Sequence, residues 1–129
     1  MAPSFLSLAE VLAIHRDQIQ RYGGATGVRD WGLLKSAIAM PAATFDGTHL
    51  HADLYSMAAA YLFHLVQNHA FVDGNKRVGA VAAAVFFALN GGKLVADENA
   101  FAELVLSVAR GETTKSDVAE FLRANVDFE

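Results

Sequence analysis

The sequence predicts an all-α fold, an orthogonal bundle of about six helices around a buried central helix, and three observations carry that expectation. Apolar residues recur at three- and four-residue intervals in successive stretches of the chain. Most of these stretches are preceded by a side chain able to cap a helix and followed by glycine or proline. One of them, Val78 to Leu89, is apolar on every side, as befits a helix enclosed by others.

Ser7 and Glu10 have capping-box spacing, and Leu8, Val11, Leu12, His15 and Ile19 then keep a helical period until Tyr22-Gly23-Gly24. Asp30 caps a short helix carrying Trp31, Leu33, Leu34, Ala37 and Ile38, which Pro41 ends. The segment 45–52 has turn residues and no period, so it reads as a surface loop. Asp53 starts a longer helix with Leu54, Met57, Ala58, Tyr61 and Leu65 on its buried stripe and Ala60 beside it. After the apolar helix, Asn90-Gly91-Gly92 makes a stop and residues 93–96 a brief extended stretch. Asp97 or Asn99 caps a helix through Phe101, Leu104, Val105, Val108 and Arg110, and a last helix follows Thr113-Thr114 through Val118, Phe121 and Leu122. Trp31, Phe86 and Phe87 read as core residues, and His15 and His64 as packed, hydrogen-bonded histidines.

A chain of 129 residues is expected to form a single domain, 1–129, burying roughly two-thirds of its unfolded surface. Hydrophobic residues make up 53% and charged residues 19%, which excludes a disordered tail and leaves apolar surface for a partner. The net charge of -4 argues against direct nucleic-acid binding, because phosphate backbones demand basic surface. The absence of cysteine excludes disulfides, thiolate nucleophiles and cysteine-held zinc, and fits a cytoplasmic location. No signal peptide opens the chain, and the Val78 to Leu89 run is short of the ~20 residues that span a membrane, so no membrane association is expected.

The densest chemistry lies between the two central helices, in His69-Ala70-Phe71-Val72-Asp73-Gly74-Asn75-Lys76-Arg77. Here a histidine, a carboxylate, a turn glycine and two cations meet the start of a new helix, whose N–H groups attract anions. A purely structural role is open to several of them. Asp73 or Asn75 would cap the following helix in a protein with no chemistry, and His69 would cap the carbonyls of the preceding one. Lys76 and Arg77 fit that view less well, since two cations in a first helical turn oppose the macrodipole unless an anion compensates. Histidine is suited to taking a proton from a hydroxyl nucleophile. Asp73 is suited to holding Mg²⁺ through one oxygen, Gly74, Asn75 and Lys76 to lining a phosphate site, and Arg77 to gripping a phosphate in a bidentate fork.

These residues resemble the Fic/Doc family, whose core motif His-x-Phe-x-Asp/Glu-Gly-Asn-x-Arg is met by His69, Phe71, Asp73, Gly74, Asn75 and Arg77. The chain is also similar to the death-on-curing branch in Tyr22-Gly23-Gly24, Gly27-Val28-Arg29-Asp30, Gly32-Leu33-Leu34, Ser36-Ala37-Ile38 and Leu89-Asn90-Gly91. The resemblance implies a Fic/Doc-type helical bundle with ATP and Mg²⁺ as cofactors. It implies His69 as base, Asp73 on the metal, Phe71 buried beneath the loop, and Asn75 and Arg77 on phosphates beside Gly74 and Lys76. It also implies that the loop holding Thr48, His49 and His51 lies near a flap that guides the target segment. Metal binding by His49 and His51 is the weaker reading, as no third ligand stands at suitable spacing.

Two positions depart from the nucleotidyl-transferring members, which carry glycine and a second arginine where this chain has Lys76 and Ala80. Residues 77 and 80 share a helix face, so a second guanidinium would have stood beside the first. Death-on-curing members match this chain at both positions. The resemblance therefore implies a kinase that moves the γ-phosphate of ATP to a hydroxyl of a protein in translation, elongation factor Tu being the implied target. The alternatives are a protein nucleotidyl (AMP) transferase and an inactive partner-binding adaptor. Self-restraint would need a Ser/Thr-x-x-x-Glu-Gly/Asn helix, and the nearest match, Ser116 to Glu120, is followed by bulky Phe121. Restraint by an antitoxin encoded alongside, whose disordered segment folds into an apolar groove near the motif, is the expectation.

Overall fold

The computed structural model describes residues 2–128. Six α-helices are linked by short segments: α1 Leu8–Tyr22, α2 Trp31–Ala39, α3 Leu54–Gln67, α4 Asn75–Leu89, α5 Glu98–Ala109 and α6 Lys115–Arg123. Their starts are set locally. Ser7 and Thr114 form reciprocal capping boxes with Glu10 and Asp117, while Asp30, Asp53 and Asp97 each accept an N–H of the first turn. Pro41 lies in a single 3-10 turn, Met40–Ala42, that follows α2 directly.

The all-α expectation holds, but the most enclosed helix is α3 and not α4. Residues 57–62, Leu65 and Val66 are buried around α3, which packs against α2, α4, α5 and α6. The small side chains of Ala58, Ala59 and Ala60 let neighbours close on several sides. On α4, Val78, Ala82, Ala83, Phe86 and Phe87 are buried, whereas Val81 and Val85 are only partly covered and Leu89 is exposed. Its apolar character therefore exceeds what the chain's own packing uses. Trp31 likewise departs from expectation: it is 51% exposed, while Phe86 and Phe87 are fully buried.

Two small antiparallel ribbons complete the fold. The segment expected to be irregular forms a hairpin, β1 Thr44–Phe45 with β2 Thr48–His49, turning at Asp46-Gly47, where both residues have positive φ. The extended stretch after α4 becomes β3 Gly92–Leu94, which pairs with β4 Val126–Phe128 in the register Lys93 to Asp127. None of the helices in the described residues is long and apolar enough to cross a membrane.

Helices α3 and α4, which flank the motif, approach closely at Gly79. A Cβ there would stand 2.7 Å from Val66 Cγ2 and 3.0 Å from the Leu62 carbonyl oxygen. An ordinary helical Gly→Ala change gains up to about 1 kcal/mol in propensity, but forcing a carbon between two packed backbones costs about 1–3 kcal/mol. Gly79→Ala is therefore expected to lower the urea midpoint. A raised midpoint would show that the helix pair separates freely.

Candidate functional site

The loop from Asn68 to Gly74 is shaped by backbone features that the sequence only partly announces. α3 ends at Gln67, and His69 takes a left-handed conformation, φ 49°, that non-glycine residues seldom adopt. Arg29 holds it there, donating from Nε to the His69 carbonyl at 2.7 Å and from Nη2 to the Asn68 carbonyl at 3.3 Å. Asn68 in turn donates to the Leu33 carbonyl at 2.9 Å. The imidazole of His69 is left exposed at the mouth of the site.

Phe71 points inward and is buried, stacked on the ring of His15 with centroids 3.9 Å apart. The Asn75 side chain brackets its backbone, accepting from the Phe71 N–H and donating to the Phe71 carbonyl, both at 3.0 Å. This amide is thus engaged in shaping the loop. Neither Asp73 nor Asn75 caps α4. The N-cap is Gly74, in left-handed conformation, and no side chain satisfies the first turn. The N–H groups of Asn75, Lys76 and Arg77 lie where a helix has no carbonyl of its own to offer them.

A second segment, residues 23–30, clamps the motif from the side. Ala25 N–H donates to Asp73 Oδ2 at 3.1 Å and Gly74 N–H to Asp73 Oδ1 at 2.8 Å, while His15 Nε2 donates to the Asp73 carbonyl at 2.9 Å. The N–H groups of Ala25 and Gly74, helped by Arg77 and Lys76, hold the Asp73 carboxyl below the usual carboxylate range. Backbone bonds from Arg29 and Asp30 to the Ala70 carbonyl, and from Val72 to the Gly27 carbonyl, finish the clamp. Local sequence pattern shows Gly23 and Gly24 only as the stop of the first helix. Their bearing on Asp73 depends on contacts across some fifty residues that no local pattern encodes.

Arg77 is placed differently from a free phosphate ligand. Its guanidinium donates to the Gln18 carbonyl at 3.2 Å and the Gly23 carbonyl at 3.0 Å, so the end of α1 compensates its charge. Lys76 remains exposed. His69, Val72, Asp73, Gly74, Asn75, Lys76 and Arg77 together line a hollow of about 170 Å³, which gathers the motif's polar residues, while Phe71 is buried beneath them. Asp73 fits a Mg²⁺ site: it is ionised and exposed, and Mg²⁺ is commonly held by one or two carboxylates plus substrate phosphates. Among the described residues no group of three metal-ligating side chains exists, so the phosphates would have to complete the shell.

The loop histidines stand elsewhere. Thr48, His49 and His51 are absent from the hollow's lining. His49 rests against the ring of Phe5, at 6.0 Å between centroids, and His51 is buried. His15 and His64 are packed and hydrogen-bonded as expected, His64 Nε2 lying 3.1 Å from Lys115 Nζ. Burial, then the charge of Lys115 and the neighbouring His51, push His64 from 6.5 down to about 4. Below pH 6.5 the unfolded chain binds a proton there that the folded chain refuses, so stability present above pH 6.5 is lost as pH falls toward 4. A depression of this size corresponds to roughly 3 kcal/mol, reduced by solvent screening at a partly exposed ring to about 1–2 kcal/mol. His64→Gln is expected to flatten the fall in urea midpoint between pH 7.5 and 4.5, and an unchanged slope would remove His64 as its source.

Comparison with known proteins identifies the family. The Fic/DOC family model matches residues 5–87, the span from the start of α1 through the motif to most of α4. Toxin Doc of Mycolicibacterium smegmatis is 43% identical over 98 residues, covering 76% of this chain and 69% of that protein. Protein kinase doc of Escherichia phage P1 is 35% identical over 118 residues, covering 92% of each chain. With more than half of the chain matched by the family model and both relatives in accord, the chain belongs to the Fic/DOC family.

Proposed function

We propose that the chain, read as one domain over 1–129, is the toxin of a toxin–antitoxin pair. In this reading it transfers the γ-phosphate of ATP to a hydroxyl of a protein in translation, with elongation factor Tu as the implied target. The relatives' names, one a toxin and one a protein kinase, support the class of activity. The observation that carries phosphoryl over nucleotidyl transfer is the make-up of the anion cradle. Arg77 is tied to the end of α1, and the position one turn on is the methyl of Ala80 in place of a second guanidinium. That leaves the first-turn N–H groups and the Lys76 ammonium for phosphate, a grip suited to one end of a polyphosphate.

In this mechanism Asn75 and Arg77 are positioning residues. Asn75 fixes the backbone of Phe71, and Arg77 locks α4 to α1. His69 accepts the hydroxyl proton as the oxygen attacks the γ-phosphorus, and ADP departs with the β–γ bridging oxygen. Asp73 would hold Mg²⁺ brought with the nucleotide, and the ion would neutralise phosphate charge. The N–H groups of Asn75 and Lys76 and the Lys76 side chain hold the phosphates against His69.

A groove of about 380 Å³ next to Lys76 suits the proposed antitoxin. Ala80, Phe101, Ala102, Val105 and Leu106 make it apolar, and Glu98 sits at its edge. An amphipathic antitoxin helix laid there would cover Ala80 at the start of α4 and the apolar residues of α5. Leu106→Glu is expected to weaken such binding without loss of transfer, and a gain in transfer by the wild-type chain on adding antitoxin would contradict restraint.

The deciding experiment incubates the chain and Mg²⁺ with a cell extract and ATP labelled on either the α or the γ phosphate. Label from γ-ATP alone on a protein band supports the kinase and names its target. Label from α-ATP establishes nucleotidyl transfer. Silence from both, with partner binding intact, favours the adaptor.

A further inference from the structure

A second cluster of nitrogen-bearing side chains shares no residue with the motif hollow. His51 is 8% exposed, and its Nδ1 has no hydrogen-bond partner among the described residues. An orphaned buried polar atom costs about 1–3 kcal/mol, so it marks a place where a partner is missing. His51 and Lys115 line a hollow of about 240 Å³ whose wall also includes Ser56, Ser116, Glu120 and Arg123.

The charges around this hollow are unevenly paired. Asp53 and Glu120 are both engaged by Arg123, at 3.0 and 3.4 Å. Lys115 forms no ion pair among the described residues, and it donates to the uncharged His64 Nε2 at 3.1 Å. Lys115 and Ser116 are also the first two residues of α6. The Thr114 cap satisfies the N–H of Asp117, which leaves theirs directed outward. Among the described residues the charge left unpaired at the hollow is the Lys115 ammonium, and beside it stand the hydroxyls of Ser56 and Ser116 and the free N–H groups that open α6. A metal cation would meet Lys115 and Arg123 as repulsion, and an anion would meet them as attraction.

We infer that this hollow is a second anion site, taking a phosphate-class oxyanion held by Lys115, by His51 Nδ1 as donor, by the hydroxyls of Ser56 and Ser116, and by the N–H groups opening α6. The volume lies below the roughly 300–1,000 Å³ of pockets that enclose a whole drug-sized ligand, which favours a bare oxyanion over a nucleotide. The donors come from the segment before α3, from α3 and from α6, an arrangement that suits a tetrahedral acceptor better than a planar carboxylate. Occupancy would stitch α6 to the start of α3 and supply the counter-charge that Lys115 lacks. The site stands on its own geometry and does not depend on the transfer reaction.

The test uses the full chain labelled with ¹⁵N-histidine at pH 7, titrated with inorganic phosphate against sodium chloride at matched ionic strength. Lys115 acts on both imidazoles, His51 also acts on His64, and the Met40 backbone acts on His51, so the His51 and His64 ring signals report any change at Lys115. Saturable movement of both signals with a rise in Tm is expected, and Lys76→Met, which removes the cation of the motif cradle, should keep it, which separates the two sites. Lys115→Met and, independently, His51→Gln should weaken phosphate at least about tenfold, the loss that follows from removing one charge-assisted hydrogen bond. Signals that track ionic strength alone, saturation retained by both variants, or saturation by acetate or Zn²⁺ but not by phosphate would each overturn the site.

Discussion

Replacing His69 by alanine is expected to lower group transfer by about 10²- to 10⁴-fold while leaving the melting temperature close to that of the parent. The two effects separate because of where the side chain sits. The ring is exposed at the rim of the hollow, so its removal opens no cavity in the core. The backbone conformation that presents it is held by Arg29 through carbonyls, which alanine retains. Arg29→Lys gives the complementary result. A lysine cannot reproduce the fork to two carbonyls, so transfer should fall although the imidazole is intact. Rates for both variants should be read as kcat and KM separately. A His69→Ala loss confined to KM would make the histidine a binding group and remove it as the base.

The second large effect is expected at Gly24, far from the motif in sequence. Its φ of +119° is a conformation that side-chain-bearing residues rarely adopt, and a Cβ would stand 2.7 Å from Asp73 Oδ2 and 3.1 Å from Arg77 Nη2. Gly24→Ala therefore strains the loop by about 1–3 kcal/mol and drives the carboxylate from its place. A displacement near 1 Å at a catalytic group is worth about 10²-fold in rate. Gly23→Ala separates strain from displacement, because Gly23 also has a positive φ of 81° but nothing lies within 4 Å of the added carbon. Both variants should melt lower, and Gly24→Ala alone should lose transfer and demand more Mg²⁺. Equal transfer by the two variants would mean that Asp73 does not depend on the shape of this loop.

The legible parts of the fold were those written in local chemistry. Ser7, Asp30, Asp53, Asp97 and Thr114 announce helix starts because a cap acts within three residues. Helical spacing likewise announces the faces of α1 and α6. The hairpin at 44–49 carried a visible Asp46-Gly47 turn, but two-residue strands give no alternation to support it. β4 was hidden because its partner β3 lies some thirty residues earlier. The misjudged burial of α4 has a further cause: composition shows that a face is apolar, but not whether the chain's own helices cover it. At the site, the motif disclosed which residues gather. It did not disclose that Arg77 answers to α1, that Asn75 shapes the loop or that Gly24 makes room for Asp73, since each is a contact between distant segments.

The clamp has a consequence for when the chain becomes active. Its bonds to the motif span 58 residues from His15 to Asp73, 48 from Ala25 to Asp73 and 54 from Gly23 to Arg77. Closing such long loops is among the slower steps of folding, and a chain emerging from the ribosome holds its N-terminal half ready well before the motif arrives. A growing chain, or a fragment carrying only the motif and its two helices, thus has the motif residues without the clamp that arranges them. On the proposed function, activity is expected only once α4 docks on α1, and a protein that captures the chain before that docking need never compete with a working enzyme.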